Sequence, residues 1–223
     1  MPASPEVLVL HDEGFGAAVA QRLYPATTKA IRLDELPAAE DVPAGGVLVL
    51  ALDLPAPRFE RAADQLALAR GTFLVPVVAS HQMVRIGPVL GPGARATIDC
   101  HYRRSLQHSG ATGHAELQAA YDEVETRRSQ GFLPSLAAAA AASVTAVIRR
   151  IAEADRSDLQ QITYLSGTSP RIGRHRLTGV HGNARSASTV SAEDRSWQAL
   201  LPLARELAHD LSELDAVTEG ALR

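Results

Sequence analysis

The residues from His11 to Gly16 stand where an α/β protein holds a phosphate group. They follow a short apolar run, and Gly14 and Gly16 supply two glycines of a G-x-G-x-x-G-like loop. Such glycines permit a tight turn, and the backbone N–H groups of the following helix favour an anion. Asp12 and Glu13 oppose this chemistry because their carboxylates repel phosphate. We therefore interpret Gly14 and Gly16 as the remains of a nucleotide-binding loop that now serve packing.

Two further residues are candidates for binding a ligand. Asp34 follows the second predicted strand, where dinucleotide-binding folds carry a ribose-binding acid; an acid of an exposed loop is the competing interpretation. Cys100 is the sole cysteine of the 223 residues, so one chain cannot supply the four thiolates of a structural zinc site. Neighbouring basic residues could activate its thiol, but we favour a small buried side chain.

No catalytic constellation emerges from the remaining polar residues. The eight histidines include no pair at the H-E-x-x-H spacing of a helical metal site. The segment Ser166–Ser169 lacks the strand-to-helix elbow of a hydrolase and predicts a turn. The sequence therefore predicts no catalytic residue, no metal and no cofactor.

The segments that must hold these residues alternate between strands and helices in the first third of the chain. Strands joined by helices of this length imply right-handed crossovers and a parallel sheet. Pro76, inside the fourth strand, predicts an edge or a bulge. The predicted strands are Glu6–Leu10, Thr28–Leu33, Gly46–Leu52 and Thr72–Ala79, and the helices are Gly14–Leu23 and Pro57–Arg70.

The rest of the chain predicts longer helices and an antiparallel hairpin. Its elements are a strand at Met83–Leu90, helices at Thr97–Gln107, His114–Ser129 and Leu133–Ala154, hairpin strands at Gln160–Ser166 and Arg174–Val180, and a terminal helix at Glu193–Leu214. We predict one α/β domain over residues 1–223. Its Rossmann-like half, 1–112, has a mostly parallel sheet with helices on both faces, and its second half, 113–223, is α+β.

Composition excludes several classes of partner. A formal charge of −3 gives no basic surface for nucleic acid, and the N-terminus has no signal peptide pattern. The Ala-rich run Leu133–Ile148 is too short and too poor in leucine for a membrane span, so it predicts a buried helix or a dimer contact. A single cysteine fits a reducing cytoplasm.

The order of several motifs resembles the ThiF-like partner proteins of cyclodehydratases, which serve azole-containing ribosomal peptide biosynthesis. The motifs are the initial strand–glycine–helix, PVVASHQMVRIGPVLGPG from Pro76, GFLP at Gly131–Pro134, and GVHG at Gly179–Gly182. In that family two C-x-x-C pairs hold zinc. The resemblance matches Thr97 to the first cysteine and Ala184 and Ala187 to the second pair, which leaves Cys100 as a vestigial ligand.

The resemblance implies a pseudoenzyme that supports a YcaO-type cyclodehydratase or related enzyme, in which ATP use resides. Such proteins commonly begin with a winged-helix module that binds the leader of the precursor peptide; this chain begins at the first strand, so we expect a separate leader-binding protein. We expect a homodimer or partner contact through Leu133–Ile148 and the terminal helix with Trp197. The alternatives are a ThiF-like nucleotide-dependent adenylating enzyme and an unrelated Rossmann-type small-molecule binding protein.

Overall fold

A computed structural model of the chain describes residues 4–23, 29–80, 83–109, 114–123, 131–169, 171–180, 182–183 and 185. The predicted terminal helix Glu193–Leu214 with Trp197, and the alanines Ala184 and Ala187, lie outside these residues. The predicted α/β, Rossmann-like fold is confirmed, and one sheet runs through both halves of the sequence.

The described part of the sheet has seven strands. These are β1 (Val7–His11), β2 (Lys29–Arg32), β3 (Val47–Leu52), β4 (Phe73–Ser80), β5 (Met83–Ile86), β6 (Gln161–Ser166) and β7 (Ile172–Arg176). Their order is β2-β1-β3-β4-β5-β6-β7. The first four pair in parallel, and β5 to β7 continue the sheet from β4 as antiparallel neighbours. Every residue of β3 is buried, as expected for a parallel strand covered on both faces.

The described residues form five α-helices, which pack in two groups. They are α1 (Phe15–Leu23), α2 (Pro57–Arg70), α3 (Ile98–Ser109), α4 (His114–Glu123) and α5 (Pro134–Ala152). Helix α1 contacts α5, whereas α2, α3 and α4 contact one another. The chain moves from β1 to β2 in one direction across the sheet and from β3 to β4 in the other, so right-handed crossovers put α1 and α2 on opposite faces. The strand order reverses between β1 and β3, and ligands of open α/β sheets bind beyond the carboxyl ends of such strands.

Pro76 lies inside the central strand β4, opposite a bulge in the segment that pairs with β4. The antiparallel register shifts by one residue between the pairs Val77↔Ile86 and Leu74↔Leu90, which fits a bulge around Gly87. Gly87 has a φ of 90° and donates its N–H to the Pro76 carbonyl at 2.7 Å. Of the two alternatives predicted at Pro76, the structure has the bulge and not the edge.

Helix α5 is the predicted Ala-rich helix, and one of its sides is buried. Pro134 occupies the first turn, where its missing N–H removes no helical hydrogen bond, and alanine has the highest helix propensity. Buried alanines such as Ala137 and Ala140 let the helix approach α1 closely. The helix continues beyond the run Leu133–Ile148 to Ala152, so by length and composition it could cross a membrane, contrary to the expectation from that run; core helices of soluble proteins pass the same test.

The second strand of the hairpin begins and ends earlier than the sequence predicted. The predicted strand Arg174–Val180 is wrong at both ends, because β7 covers Ile172–Arg176. Leu177 still lies in register opposite Gln160, one pair beyond the end of β7. It donates its N–H to the Gln160 carbonyl at 2.7 Å and packs in a small core cluster with Cys100 and Ile162. The chain just beyond β7 therefore packs against Cys100 of helix α3.

Candidate functional site

The glycine loop between β1 and α1 already holds an anionic group from the same chain. The carboxylate of Asp53, at the end of β3, accepts hydrogen bonds from the Gly14 N–H at 3.0 Å and the Gly16 N–H at 2.7 Å. A Cβ atom at Gly14 would collide with this carboxylate, and one at Gly16 with the Ala51 carbonyl. The two glycines are thus required for close packing, and their N–H donors point at a protein carboxylate.

A second buried carboxylate stabilises the same turn. Asp12 accepts a hydrogen bond from the Asp53 N–H at 3.0 Å, and its own N–H donates to the Ala51 carbonyl at 3.0 Å. Both aspartates are buried. Sequence reasoning identified Asp12 as an acid of this loop but missed Asp53. The available signal was its position, as the first polar residue after the wholly apolar strand β3.

Asp34 and Glu13 lie at the rim of the loop and share one basic partner. Arg32, at the end of β2, forms ion pairs with Glu13 and, at 3.3 Å, with Asp34. The side chain of Asp34 is 74% exposed. The arrangement agrees with the interpretation of Asp34 as an acid of an exposed loop, and it makes Glu13 part of a surface ion pair.

Cys100 is buried and joins two segments of the chain through its sulfur atom. The Sγ atom accepts hydrogen bonds from the Thr97 N–H at 3.4 Å and the Val180 N–H at 3.3 Å, and it lies 3.3 Å from the Thr97 hydroxyl. The structure therefore brings Thr97 and Cys100 together at the start of α3, beside the chain that follows the hairpin. In the part of the chain that the structure describes, no three His, Cys, Asp or Glu side chains are grouped to hold a metal ion.

The chain beyond the hairpin is also fixed by a buried ion pair. Arg185 donates to Asp64 of α2 at 2.6 Å and to the Gly91 carbonyl at 3.1 Å. The other oxygen of Asp64 accepts the Ile98 N–H at 2.9 Å, at the start of α3. Asn183 adds a hydrogen bond to the Arg95 carbonyl at 3.1 Å. Hydrogen bonds and one ion pair therefore connect the segment after the hairpin to α2 and to the chain before α3.

A buried polar network that the sequence did not predict lies between α2, α3 and β5. The carboxylate of Glu60 accepts hydrogen bonds from Arg85 and from the Tyr102 hydroxyl, both at 2.5 Å, and Arg85 also donates to the Gly87 carbonyl. Burial alone lowers the pKa of Arg85, but the Glu60 carboxylate, together with Tyr102 and Tyr164, more than offsets this, so the pKa is raised. Burial, with the Glu60 charge, raises the pKa of Tyr102 well above its usual value. The three groups therefore form a neutral unit of one anion, one cation and one phenol.

His101 lies beside this network and is held in its neutral form. Its residue exposure is 9%, and its ring contacts the Tyr102 ring edge-on, with centroids 5.3 Å apart. Burial, followed by the charges of Arg85 and His175, lowers the pKa of His101 to about 2. The imidazole is therefore uncharged at neutral pH.

The geometry can be compared with that of known proteins. No protein-family model matches the sequence, and no curated protein matches it either. The chain is similar in structure to the heterocyclase TruD, with 16% identity and a TM-score of 0.56 over 83% of this chain and 28% of that chain. A chain of the E. coli microcin synthetase McbBCD complex gives 13% identity and a TM-score of 0.58 over 82% of this chain and 69% of that one.

A further similar structure is that of E. coli MccB with ATP, at 12% identity and a TM-score of 0.56 over 83% of this chain and 68% of that chain. The chain spans about a quarter of the length of the heterocyclase structures. At such identities the likeness concerns the fold. The chain therefore has the ThiF-like fold of the heterocyclase TruD and the microcin synthetase components, as the order of its sequence motifs predicted.

Proposed function

We propose that the chain is a non-catalytic partner protein of a YcaO-type cyclodehydratase or a related enzyme that modifies a ribosomally made peptide. The fold that it has in common with a heterocyclase and a microcin synthetase supports this class of function. In this proposal the partner enzyme activates the peptide, and this chain contributes surfaces. A separate leader-binding protein presents the precursor peptide, and the assembly works in the cytoplasm.

One observation carries the non-catalytic part of the proposal: Asp53 accepts the N–H groups of both Gly14 and Gly16. A nucleotide phosphate would need these donors, so it would have to displace a hydrogen-bonded carboxylate. It would also approach two buried aspartates, Asp12 and Asp53. Two unit charges about 4 Å apart repel by about 4 kcal/mol at an effective dielectric constant of about 20. We infer that the loop does not bind ATP.

Reconstitution tests the proposal. The proposal predicts genes for a YcaO-type enzyme and a precursor peptide beside the gene of this chain. Their products are mixed with the chain, and loss of water from the peptide is followed by mass spectrometry. We expect conversion only when this chain is present, and calorimetry of the isolated chain with ATP should give no binding in the micromolar range.

A matched pair of variants separates a scaffold from an enzyme. Asp53→Ala removes the carboxylate at the glycine loop, whereas Asp34→Ala removes an exposed one. For a scaffold, neither change alters ATP turnover by the mixture, provided that the variant remains folded. Micromolar ATP affinity of the wild-type chain alone, with turnover that Asp53→Ala abolishes, would instead establish the adenylating-enzyme alternative.

A homodimer through the outer side of α5 is part of the proposal. Ala138, Ala139 and Ala142 are exposed along this side, and small residues let two helices approach closely. The change Ala139→Arg should shift the mass measured by light scattering from dimer to monomer. Ala120→Arg on the exposed side of α4 is the matched control and should leave the dimer intact. A wild-type chain that is strictly monomeric at all concentrations would exclude the dimer.

A further inference from the structure

A cavity of about 250 Å³ lies between the sheet and helices α3 and α4, apart from the glycine loop. Three tyrosines, Tyr102, Tyr121 and Tyr164, contribute to its walls, and we call it the tyrosine-lined cavity. Ser80, at the carboxyl end of β4, also lines it. Ligands of α/β sheets bind at this edge.

The polar groups of the tyrosine-lined cavity carry no net charge. Among the described residues that line it, the one cation is Arg85, which is paired with the buried carboxylate of Glu60 at 2.5 Å. His101, also in the wall, is buried and neutral. A charged ligand would lose part of its hydration without gaining an opposite charge, which costs free energy. The cavity therefore favours an uncharged ligand.

The size and lining of the cavity select an aromatic ring. A cavity of about 150 Å³ is large enough for benzene, so about 250 Å³ accommodates one substituted ring. Tyrosine and imidazole rings attract a further ring in offset or edge-to-face geometry, as His101 and Tyr102 already do with each other. The hydroxyl of Ser105 lines the same space and offers a hydrogen bond to a phenol or a ring nitrogen.

We propose that the tyrosine-lined cavity binds a neutral aromatic ring carried by the peptide that the partner enzyme modifies. The peptide origin of the ring rests on the proposed function, whereas the preference for a neutral ring follows from the cavity itself. The ring is an aromatic side chain of the precursor or an azole ring of the product. Both share the same planar, uncharged chemistry.

Binding of small probes to the isolated, full-length chain tests this proposal without the partner enzyme. The probes are N-acetyl-tyrosine amide, N-acetyl-leucine amide, N-acetyl-aspartate amide and 2,4-dimethylthiazole, measured by ligand-observed NMR. We expect the tyrosine amide or the thiazole to bind roughly ten-fold more tightly than the leucine amide, because ring contacts add to apolar burial. We expect no binding of the aspartate amide.

Two phenylalanine substitutions locate the site. Ser105→Phe places a ring inside the cavity and should weaken binding at least ten-fold, whereas Ser135→Phe adds the same ring on the exposed start of α5 and should change nothing. Thermal unfolding establishes that both variants are folded. Tyr164→Leu keeps apolar area but removes one ring, and it should reduce the preference for the aromatic probe over the leucine amide.

The outcomes are distinct. Binding of the tyrosine amide alone assigns the cavity to a precursor side chain, and binding of the thiazole alone assigns it to the azole product. The proposal is overturned if neither aromatic probe binds, if the leucine amide binds as well as the aromatic probes, or if Ser105→Phe binds the aromatic probes like the wild type. Because reconstitution with the YcaO-type enzyme is a separate experiment, either result leaves the test of the scaffold function intact.

Discussion

The substitution Asp53→Asn removes the charge that caps the first turn of α1 while it preserves the shape of the side chain. Asp53 accepts two N–H groups, from Gly14 at 3.0 Å and from Gly16 at 2.7 Å, across about forty residues of sequence. Asparagine offers one acceptor oxygen and one N–H₂ group. One glycine N–H therefore faces another donor.

The cost follows from the number of hydrogen bonds. A hydrogen bond to a charged group contributes about 1.5–3 kcal/mol and a neutral one about 1 kcal/mol. The variant keeps one neutral hydrogen bond and leaves one N–H donor unsatisfied. Weaker repulsion from the Asp12 carboxylate offsets part of the lost stability. We expect the free energy of unfolding to fall by roughly 2–4 kcal/mol, which lowers the Tm of a chain of this size by about 4–16 °C.

Urea titration followed by circular dichroism measures the change, with the m-value checked for constancy. Asp34→Asn is the matched control, because the same chemical change is made on a side chain that is 74% exposed and only ion-paired at the surface. Its effect should stay within about 0.5 kcal/mol. If Asp53→Asn is no less stable than Asp34→Asn, the carboxylate does not hold the glycine loop.

Three further predictions concern the buried groups. Because the pKa of His101 is lowered to about 2 in the folded chain, unfolding takes up a proton below the ordinary pKa of 6.5. The free energy of unfolding should therefore fall by about 1.4 kcal/mol for each pH unit from about pH 6 to 5. His101→Gln should flatten this slope in urea titrations at each pH. Glu60→Gln leaves Arg85 buried without its anion and should cost about 3–5 kcal/mol by the same assay, whereas Glu40→Gln at an exposed position should cost almost nothing. With Cys100 as the sole thiol, elemental analysis of protein purified without added metal should find well below one zinc per chain, and a tightly held stoichiometric zinc would contradict the loss of the site.

Several elements of this protein are determined by local signals in its sequence. The continuous apolar run of β3 predicts a strand buried on both faces, and Val47–Leu52 is that strand. The predicted helix Pro57–Arg70 has the same bounds in the structure, because proline stands in its first turn and Gly71, with a φ of 62°, ends it in the left-handed conformation. An apolar run, a proline in the first turn and a glycine at the helix end act over a few residues, so they can be recognised in the sequence without knowledge of the tertiary structure.

Only the tertiary structure decided what the polar residues do. Asp53 follows β3 in sequence, but it meets Gly14 and Gly16 because β1 and β3 are neighbours in the sheet. In the sequence Glu60 is one more charged residue of an amphipathic helix, yet in the structure it is buried and pairs with Arg85. A side chain's hydrogen-bond partners depend on the order of strands and on which face a helix buries. Composition and spacing along the chain therefore predict the scaffold, whereas the partners of each buried charge are settled only when distant segments pack together.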